Sequence, residues 1–155
     1  MQDIRLVFAT PDADTLGVLH SMLRAAQQLT CPTVTTVDIE STPALHARIE
    51  SRSDDVVLLD WALAEEATSE LVHKILSLNP QLRVVVLLPL DMRQYRQQVW
   101  DAGACNSIPK EYMDQEWLAS ILCVMYRAMQ REARLRASLL RGSAESISTT
   151  TVSPI

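Results

Sequence analysis

The sequence is poor in glycine: only Gly17, Gly103 and Gly142 occur in 155 residues, and no two of them lie close together. Loops that cradle a phosphate group need glycines at short spacing, because backbone N–H groups must approach the ligand closely. The scarcity of glycine therefore excludes a P-loop and a dinucleotide-binding fingerprint. Most nucleotide-dependent enzymes are excluded with them.

Cysteine and long apolar runs are also scarce. Cys31, Cys105 and Cys123 are widely spaced and form no CxxC pair, so we expect reduced thiols and neither a disulfide framework nor a zinc site. No run approaches the roughly 18 to 20 apolar residues of a membrane helix, and the N-terminus has no signal-peptide pattern. The net charge of −5 argues against direct contact with nucleic acid. We therefore expect a cytoplasmic protein that binds neither membrane nor nucleic acid.

Residues 54–61 are the stretch around which the chain is organised. Four consecutive apolar residues, 56–59, stand between an acidic pair and Asp60. A continuous apolar run of this kind is typical of a central strand in a parallel sheet that is covered on both faces. Asp60 is then expected at the carboxyl end of that strand, which is the edge where open α/β sheets place their chemistry.

The same patterns predict four more strands and five helices. Strands are expected at residues 4–9, 33–39, 83–88 and 105–109, and helices at about 16–29, 42–51, 68–78, 89–102 and 114–140. Gly103 and Gly142 are expected to end the last two helices. This alternation predicts an α/β fold, a doubly wound three-layer sandwich around a five-stranded parallel sheet, with an extended C-terminal helix. The expected divisions are a domain over 1–130, a helical extension over 131–142 and a disordered tail or linker over 143–155.

This pattern resembles the receiver domain of two-component response regulators, the CheY-like domain with flavodoxin-like (βα)5 topology. The resemblance covers roughly residues 3–130 and is carried by the strand that ends at Asp60, by Ala102, Gly103 and Ala104 before the fifth strand, and by Lys110 after it. It implies phosphoryl transfer onto an aspartate. The family uses a pair of acids after the first strand to hold Mg²⁺, a hydroxyl after the fourth strand, and an aromatic residue in the fifth.

Two of these positions match the family and the others do not. Asp60 is the candidate phosphoacceptor, and Lys110 is the candidate contact to the phosphate. The expected acid pair falls on Thr10 and Pro11. Only Asp12, next along the chain, could join Asp60 as a metal ligand.

Two more positions differ from the family: the one that binds the phosphate through a hydroxyl, and the one whose aromatic side chain responds to phosphorylation. Leu88 holds the hydroxyl position, and Ser107 holds the position of the aromatic. The resemblance is therefore to a degenerate receiver, or pseudo-receiver, for which no cofactor is expected.

The last predicted helix carries the second functional signal. Its apolar face is broader than one contact with a sheet requires, and it continues into an arginine-rich segment. An apolar seam that extends beyond the globular body must be covered by another surface. The predicted interaction surface consists of Trp117, Ile121, Met125, Met129 and Leu135, and its expected partner is a second copy, a signalling protein or an output domain.

Three functional hypotheses follow. The first is a non-enzymatic signalling module of the two-component type that acts through protein–protein contacts, with phosphorylation impaired or absent. The second is a working phosphoacceptor that is phosphorylated at Asp60 with Mg²⁺ and takes part in a phosphorelay. The third is a flavodoxin-like cofactor binder, which rests on topology alone.

Overall fold

The computed structural model describes residues 3–29 and 32–149, with side chains described as far as residue 145. One sheet of five parallel strands has the order β2-β1-β3-β4-β5. The strands are β1 (Ile4–Ala9), β2 (Val34–Ile39), β3 (Val56–Asp60), β4 (Arg83–Leu88) and β5 (Asn106–Pro109). The predicted α/β fold is confirmed. Cys31 and residues 150–155, for which a thiol and part of a tail were predicted, lie outside the described residues.

Five helices cover the two faces of the sheet. They are α1 (Ala13–Leu29), α2 (Thr42–Glu50), α3 (Thr68–Leu78), α4 (Arg96–Asp101) and α5 (Gln115–Thr149). Helices α1 and α5 pack on one face, while α2, α3 and α4 pack on the other. Within the described part of the chain, no helix is both long enough and apolar enough to span a membrane.

Strand β3 is the central strand of the sheet, and every one of its side chains is buried. Successive strand residues point to opposite faces, so Val56 and Leu58 join the core beneath α1 and α5, and Val57 and Leu59 join the other core. Each such side chain contributes about 1.5–3 kcal/mol on burial. The run of four apolar residues therefore fixes Asp60 at the carboxyl edge, between β1 and β4.

The chain after β4 differs from the sequence-based prediction. Instead of one helix from Pro89, a 3₁₀ helix at Leu90–Tyr95 leads into the short helix α4. Gly103 ends this region as predicted, with φ at +114°. This backbone angle favours glycine, and a Cβ atom at this position would also lie 2.5 Å from Cδ1 of Leu76, so the leucine side chain would have to shift.

The last helix is longer than predicted. Helix α5 continues through Gly142 to Thr149, so the prediction that Gly142 ends it is wrong. A glycine inside an exposed helix costs only about 1 kcal/mol relative to alanine, and here the chain does not turn into a left-handed cap. The segment from residue 143, predicted to be a tail, is therefore helical as far as Thr149.

Candidate functional site

Asp60 is the centre of the candidate site, and its side chain is completely buried. Three donors surround its carboxylate. The hydroxyl of Thr10 donates to Oδ2 over 2.7 Å, the backbone N–H of Ala62 donates to Oδ1 over 3.1 Å, and Nζ of Lys110 lies 3.0 Å from each oxygen. A buried carboxylate is costly unless it is paired and hydrogen-bonded, and here the chain itself meets both needs.

Lys110 reaches this carboxylate from the end of β5, two strands away from β3. Its ammonium group also lies 3.4 Å from the hydroxyl oxygen of Thr15 in α1. Because the carboxyl ends of parallel strands meet at one edge, residues 50 positions apart become neighbours. Asp60 and Lys110 therefore form an ion pair across two strands.

Thr10 is a site residue that the sequence reasoning missed. It follows β1, is buried, and its hydroxyl both donates to Asp60 and accepts the backbone N–H of Asp12 over 3.2 Å. The receiver resemblance predicts a carboxylate at this position, and by that criterion a threonine is only a missing acid. A hydroxyl at the end of the strand beside β3 is itself a signal, since it can donate to a buried carboxylate.

Asp12 is exposed, and its carboxylate is turned toward the start of α1. It accepts the hydroxyl of Thr15 over 2.7 Å and the backbone N–H groups of Asp14 and Thr15 over 3.2 and 3.3 Å. The pKa of Asp12 is lowered, first by the hydrogen bond from the Thr15 hydroxyl and then by the backbone hydrogen bonds. Asp12 is therefore the cap of α1.

The donor set does not fit the Mg²⁺ site that the resemblance implies. Magnesium requires oxygen ligands in near-octahedral geometry, usually with one or two carboxylates. Among the described residues, no group of three or more His, Cys, Asp or Glu side chains is placed to hold a metal ion. The carboxylate of Asp60 is already hydrogen-bonded on both oxygens, and that of Asp12 caps a helix.

The positions that hold a hydroxyl and an aromatic residue in the family have other roles here. Leu88 is buried in the core beneath α2 and α3. The hydroxyl of Ser107 accepts a hydrogen bond from Nε of Arg96 over 3.1 Å, which ties β5 to α4. An aromatic contact lies elsewhere: Trp61, directly after Asp60, is buried against Tyr95 with ring centroids 4.6 Å apart.

The predicted interaction surface on α5 needs correction. Met125 and Met129 are buried in the protein's own core, and Trp117 and Ile121 are half-buried against it. The prediction that the two methionines are available to a partner is therefore wrong. Of the five, Leu135 is the one classed as exposed, since it lies beyond Met129, the last residue of α5 in the core. The other large exposed apolar side chains of α5 are Val124, Leu139 and Leu140.

No protein-family model matches the sequence, and no curated protein matches it significantly. Solved structures do. A two-component response regulator from Clostridium difficile is 16% identical, with a TM-score of 0.68, and the alignment covers 82% of this chain and 98% of that one. The signal receiver domain of an HD-domain protein from Pseudomonas fluorescens Pf-5 is 16% identical, with a TM-score of 0.71 and coverage of 86% and 95%.

A third similar structure is the receiver domain of a sensor histidine kinase from Pseudomonas aeruginosa PAO1, described with a magnesium ion in its active-site cleft. It is 15% identical, with a TM-score of 0.64, and the alignment covers 78% of this chain and 95% of that one. At such low identity these likenesses establish the fold. The chain has the CheY-like receiver fold that the sequence pattern implied.

Proposed function

We propose that this protein is a non-catalytic signalling module of the two-component receiver type, in which phosphorylation at Asp60 is impaired. The observation that supports this most strongly is the state of Asp60 itself. Its carboxylate is buried and bonded to Thr10, Ala62 and Lys110, and the described residues place no group of three or more His, Cys, Asp or Glu side chains to hold a metal ion. The module acts through protein–protein contacts in the cytoplasm.

The chemistry of phosphoryl transfer explains why this arrangement is unfavourable. The carboxylate must attack phosphorus while a metal ion and fixed donors neutralise the charge on the phosphoryl oxygens. In this site the Thr10 hydroxyl occupies one carboxylate oxygen, and the end of β4 offers Leu88 in place of a hydroxyl. Among the described residues, Lys110 is then the one cation paired with Asp60 that can contact the product. Binding a partner protein requires none of these groups.

The direct test is the intact mass of the protein after incubation with acetyl phosphate and Mg²⁺. We expect no phosphate adduct on the wild type or on Asp60→Asn. An active receiver domain treated in parallel shows that the donor is competent. An adduct on the wild type that is absent from Asp60→Asn would overturn the proposal of impaired phosphorylation.

A working phosphoacceptor is the second candidate function, and the ion pair between Asp60 and Lys110 favours it. Thr10→Asp sharpens the choice, because it places a carboxylate where the receiver resemblance expects one. If the missing acid is what impairs the site, Thr10→Asp gains phosphate uptake and Mg²⁺ binding relative to the wild type. Uptake by the wild type that equals that of Thr10→Asp and exceeds that of Asp60→Asn would support the working phosphoacceptor.

A further inference from the structure

Helix α5 carries a second apolar stripe that faces away from the protein's own core. We define the outer stripe as Val124, Ala128, Leu135 and Leu139, of which Val124, Leu135 and Leu139 are 68%, 64% and 71% exposed. Trp117 and Ile121, both half-buried, extend the stripe toward the start of the helix. Since large apolar side chains gain stability on burial, a stripe of this length indicates a docking surface.

The outer stripe has coiled-coil spacing. Steps of three and four residues connect Trp117, Ile121, Val124 and Ala128, and the stripe resumes at Leu135. At about 100° per residue, it lies roughly a quarter turn from the inward-facing side chains. Those inward-facing side chains are Leu118, Leu122, Met125 and Met129. The two stripes are therefore separate, and α5 can contact its own core and another helix at the same time.

Charge is divided along α5. Residues 127–145 carry five arginines and two glutamates, in a chain whose net charge is −5. The arginines are Arg127, Arg131, Arg134, Arg136 and Arg141. The other end is acidic, with Glu111 and Asp114 just before the helix and Glu116 in its first turn. A helix that is acidic at one end and basic at the other is complementary to a second copy that runs in the opposite direction.

We infer that the outer stripe binds a second copy of this chain, with the two α5 helices antiparallel and crossing at Ala128. This rests on the proposed function, because it names the partner of a module that acts by protein contact. The small Ala128 side chains let the helices approach closely at the crossing. Ile121 of each copy then faces Leu135 of the other, and Trp117 faces Leu139, as the two-fold symmetry of an isologous dimer requires.

The antiparallel direction follows from Arg131, which interrupts the outer stripe between Ala128 and Leu135. In a parallel pair, Arg131 faces the same arginine of the second copy, and the two arginine-rich segments lie side by side. In the antiparallel pair these segments lie at opposite ends, and Arg141 comes beside residues 114–116 of the other copy. Like charges are thus separated and unlike charges are brought together.

A groove beside the outer stripe offers room for the second copy. Leu135 and Leu139 line one wall, and the turn at residues 80–83 lines the other, around about 460 Å³ of space. In the antiparallel pair, Trp117 of the second copy lies opposite Leu139 and thus at this groove. Trp117 and Leu139 thus meet near each end of the paired helices, and burial of a large aromatic side chain at an interface contributes binding energy.

Two neighbouring leucines provide a matched test of the stripe. Leu139 and Leu140 are exposed to the same degree, 71% and 72%, but only Leu139 lies on the outer stripe. By sedimentation equilibrium we expect a wild-type dimer, weakened by about tenfold or more in Leu139→Glu, because the new charge is buried at the interface. Leu140→Glu should dimerise like the wild type. A monomeric wild type, or equal effects of the two changes, overturns the inference.

Cysteine cross-linking tests the direction of the pairing. In a background with the three natural cysteines replaced by serine, Ile121→Cys and Leu135→Cys proteins are mixed and oxidised. The antiparallel pair gives the mixed 121–135 disulfide, whereas a parallel pair joins each variant to itself. Like-with-like cross-links, or a dimer without either cross-link, overturns the antiparallel pairing.

Circular dichroism verifies that Leu139→Glu and Leu140→Glu are folded. The phosphate-uptake test examines Asp60 independently of the dimer. If the wild type forms no dimer and takes up no phosphate, the pairing of α5 helices is overturned and the impaired phosphorylation of Asp60 is not. If the protein dimerises and also takes up phosphate, the pairing stands and the proposal of impaired phosphorylation is overturned.

Discussion

The carboxyl edge of the sheet and the outer stripe of α5 differ in whether their side chains have partners within the chain. At the edge, the polar groups of Asp60, Thr10 and Lys110 are bonded to one another inside the chain. Along the stripe, Val124, Leu135 and Leu139 face solvent with large apolar surfaces. A site that is complete without a ligand has little to gain from binding one, whereas an uncovered apolar surface does gain. The comparison supports the proposal that this protein binds its partner through the helix.

The largest effect that tests this comparison is the loss of the buried cation. Lys110→Met leaves the fully buried Asp60 carboxylate without its ion-pair partner, and removing one member of such a pair typically costs about 3–5 kcal/mol. Urea unfolding measures the change in the free energy of unfolding. Lys74→Met is the matched control, since Lys74 is exposed on α3. Equal stability of the two variants would show that Lys110 does not stabilise the buried Asp60 carboxylate.

The double variant Asp60→Asn with Lys110→Met sharpens the same test. It removes both charges together, so we expect it to be more stable than Lys110→Met alone. If the double variant is the less stable of the two, the cost of Lys110→Met does not come from an unpaired carboxylate.

A smaller effect is expected from Thr10. Thr10→Val keeps the shape of the side chain and removes the hydroxyl that donates to Asp60, and a hydrogen bond to a charged group contributes about 1.5–3 kcal/mol. Unfolding in urea should show this loss, and Thr10→Ser should restore most of it. Thr35→Val, on the exposed side of β2, serves as the control. A neutral Thr10→Val would mean that the hydroxyl is not needed to hold Asp60.

The smallest effect concerns the cap of α1 at the rim of the site. The pKa of Asp12 lies below its ordinary value of 3.8 in the folded chain, so its charge stabilises the fold above that pH. This stabilisation is lost as the pH falls below 3.8 and through the lowered pKa. Asp12→Asn keeps a capping side chain without the charge. Its stability deficit should be present at about pH 6 and should shrink toward about pH 3.

Asp3→Asn, which removes the same charge from an exposed residue, controls for general charge effects on the pH dependence of Asp12→Asn. A deficit of Asp12→Asn that is the same at both pH values would rule out the carboxylate charge as its cause. Asp12 would then be bonded less closely to Thr15 than the structure indicates.

The fold could be predicted because apolar runs identify buried parallel strands directly. Residues 56–59 and the run in β4 have no polar residue to place on a solvent face, so both must be covered on two sides. The ends of the helices were less predictable. Gly103 stops α4 because its positive φ favours glycine, whereas Gly142 lies inside a helix and has no neighbour within 4 Å that would oppose a side chain.

The site was predictable only in part. Asp60 and Lys110 stand at the ends of two strands, and strand order alone brings such ends together. Thr10 was not predicted because the receiver resemblance implies an acid at this position, while a hydroxyl can equally donate to a buried carboxylate. The surface of α5 was misplaced because both stripes are apolar, and the sequence does not say which of them faces the sheet. Packing against α1 selects Met125 and Met129 for the core.

The length of α5 gives it a mechanical consequence. Met129 is its last residue in the core, and the helix continues for roughly 20 more residues, which at 1.5 Å per residue is about 30 Å. A tilt of about 10° at Met129 therefore moves Thr149 by roughly 5 Å, if the helix behaves as a stiff rod. The extension is a lever arm: displacements too small to repack the core become large at its far end.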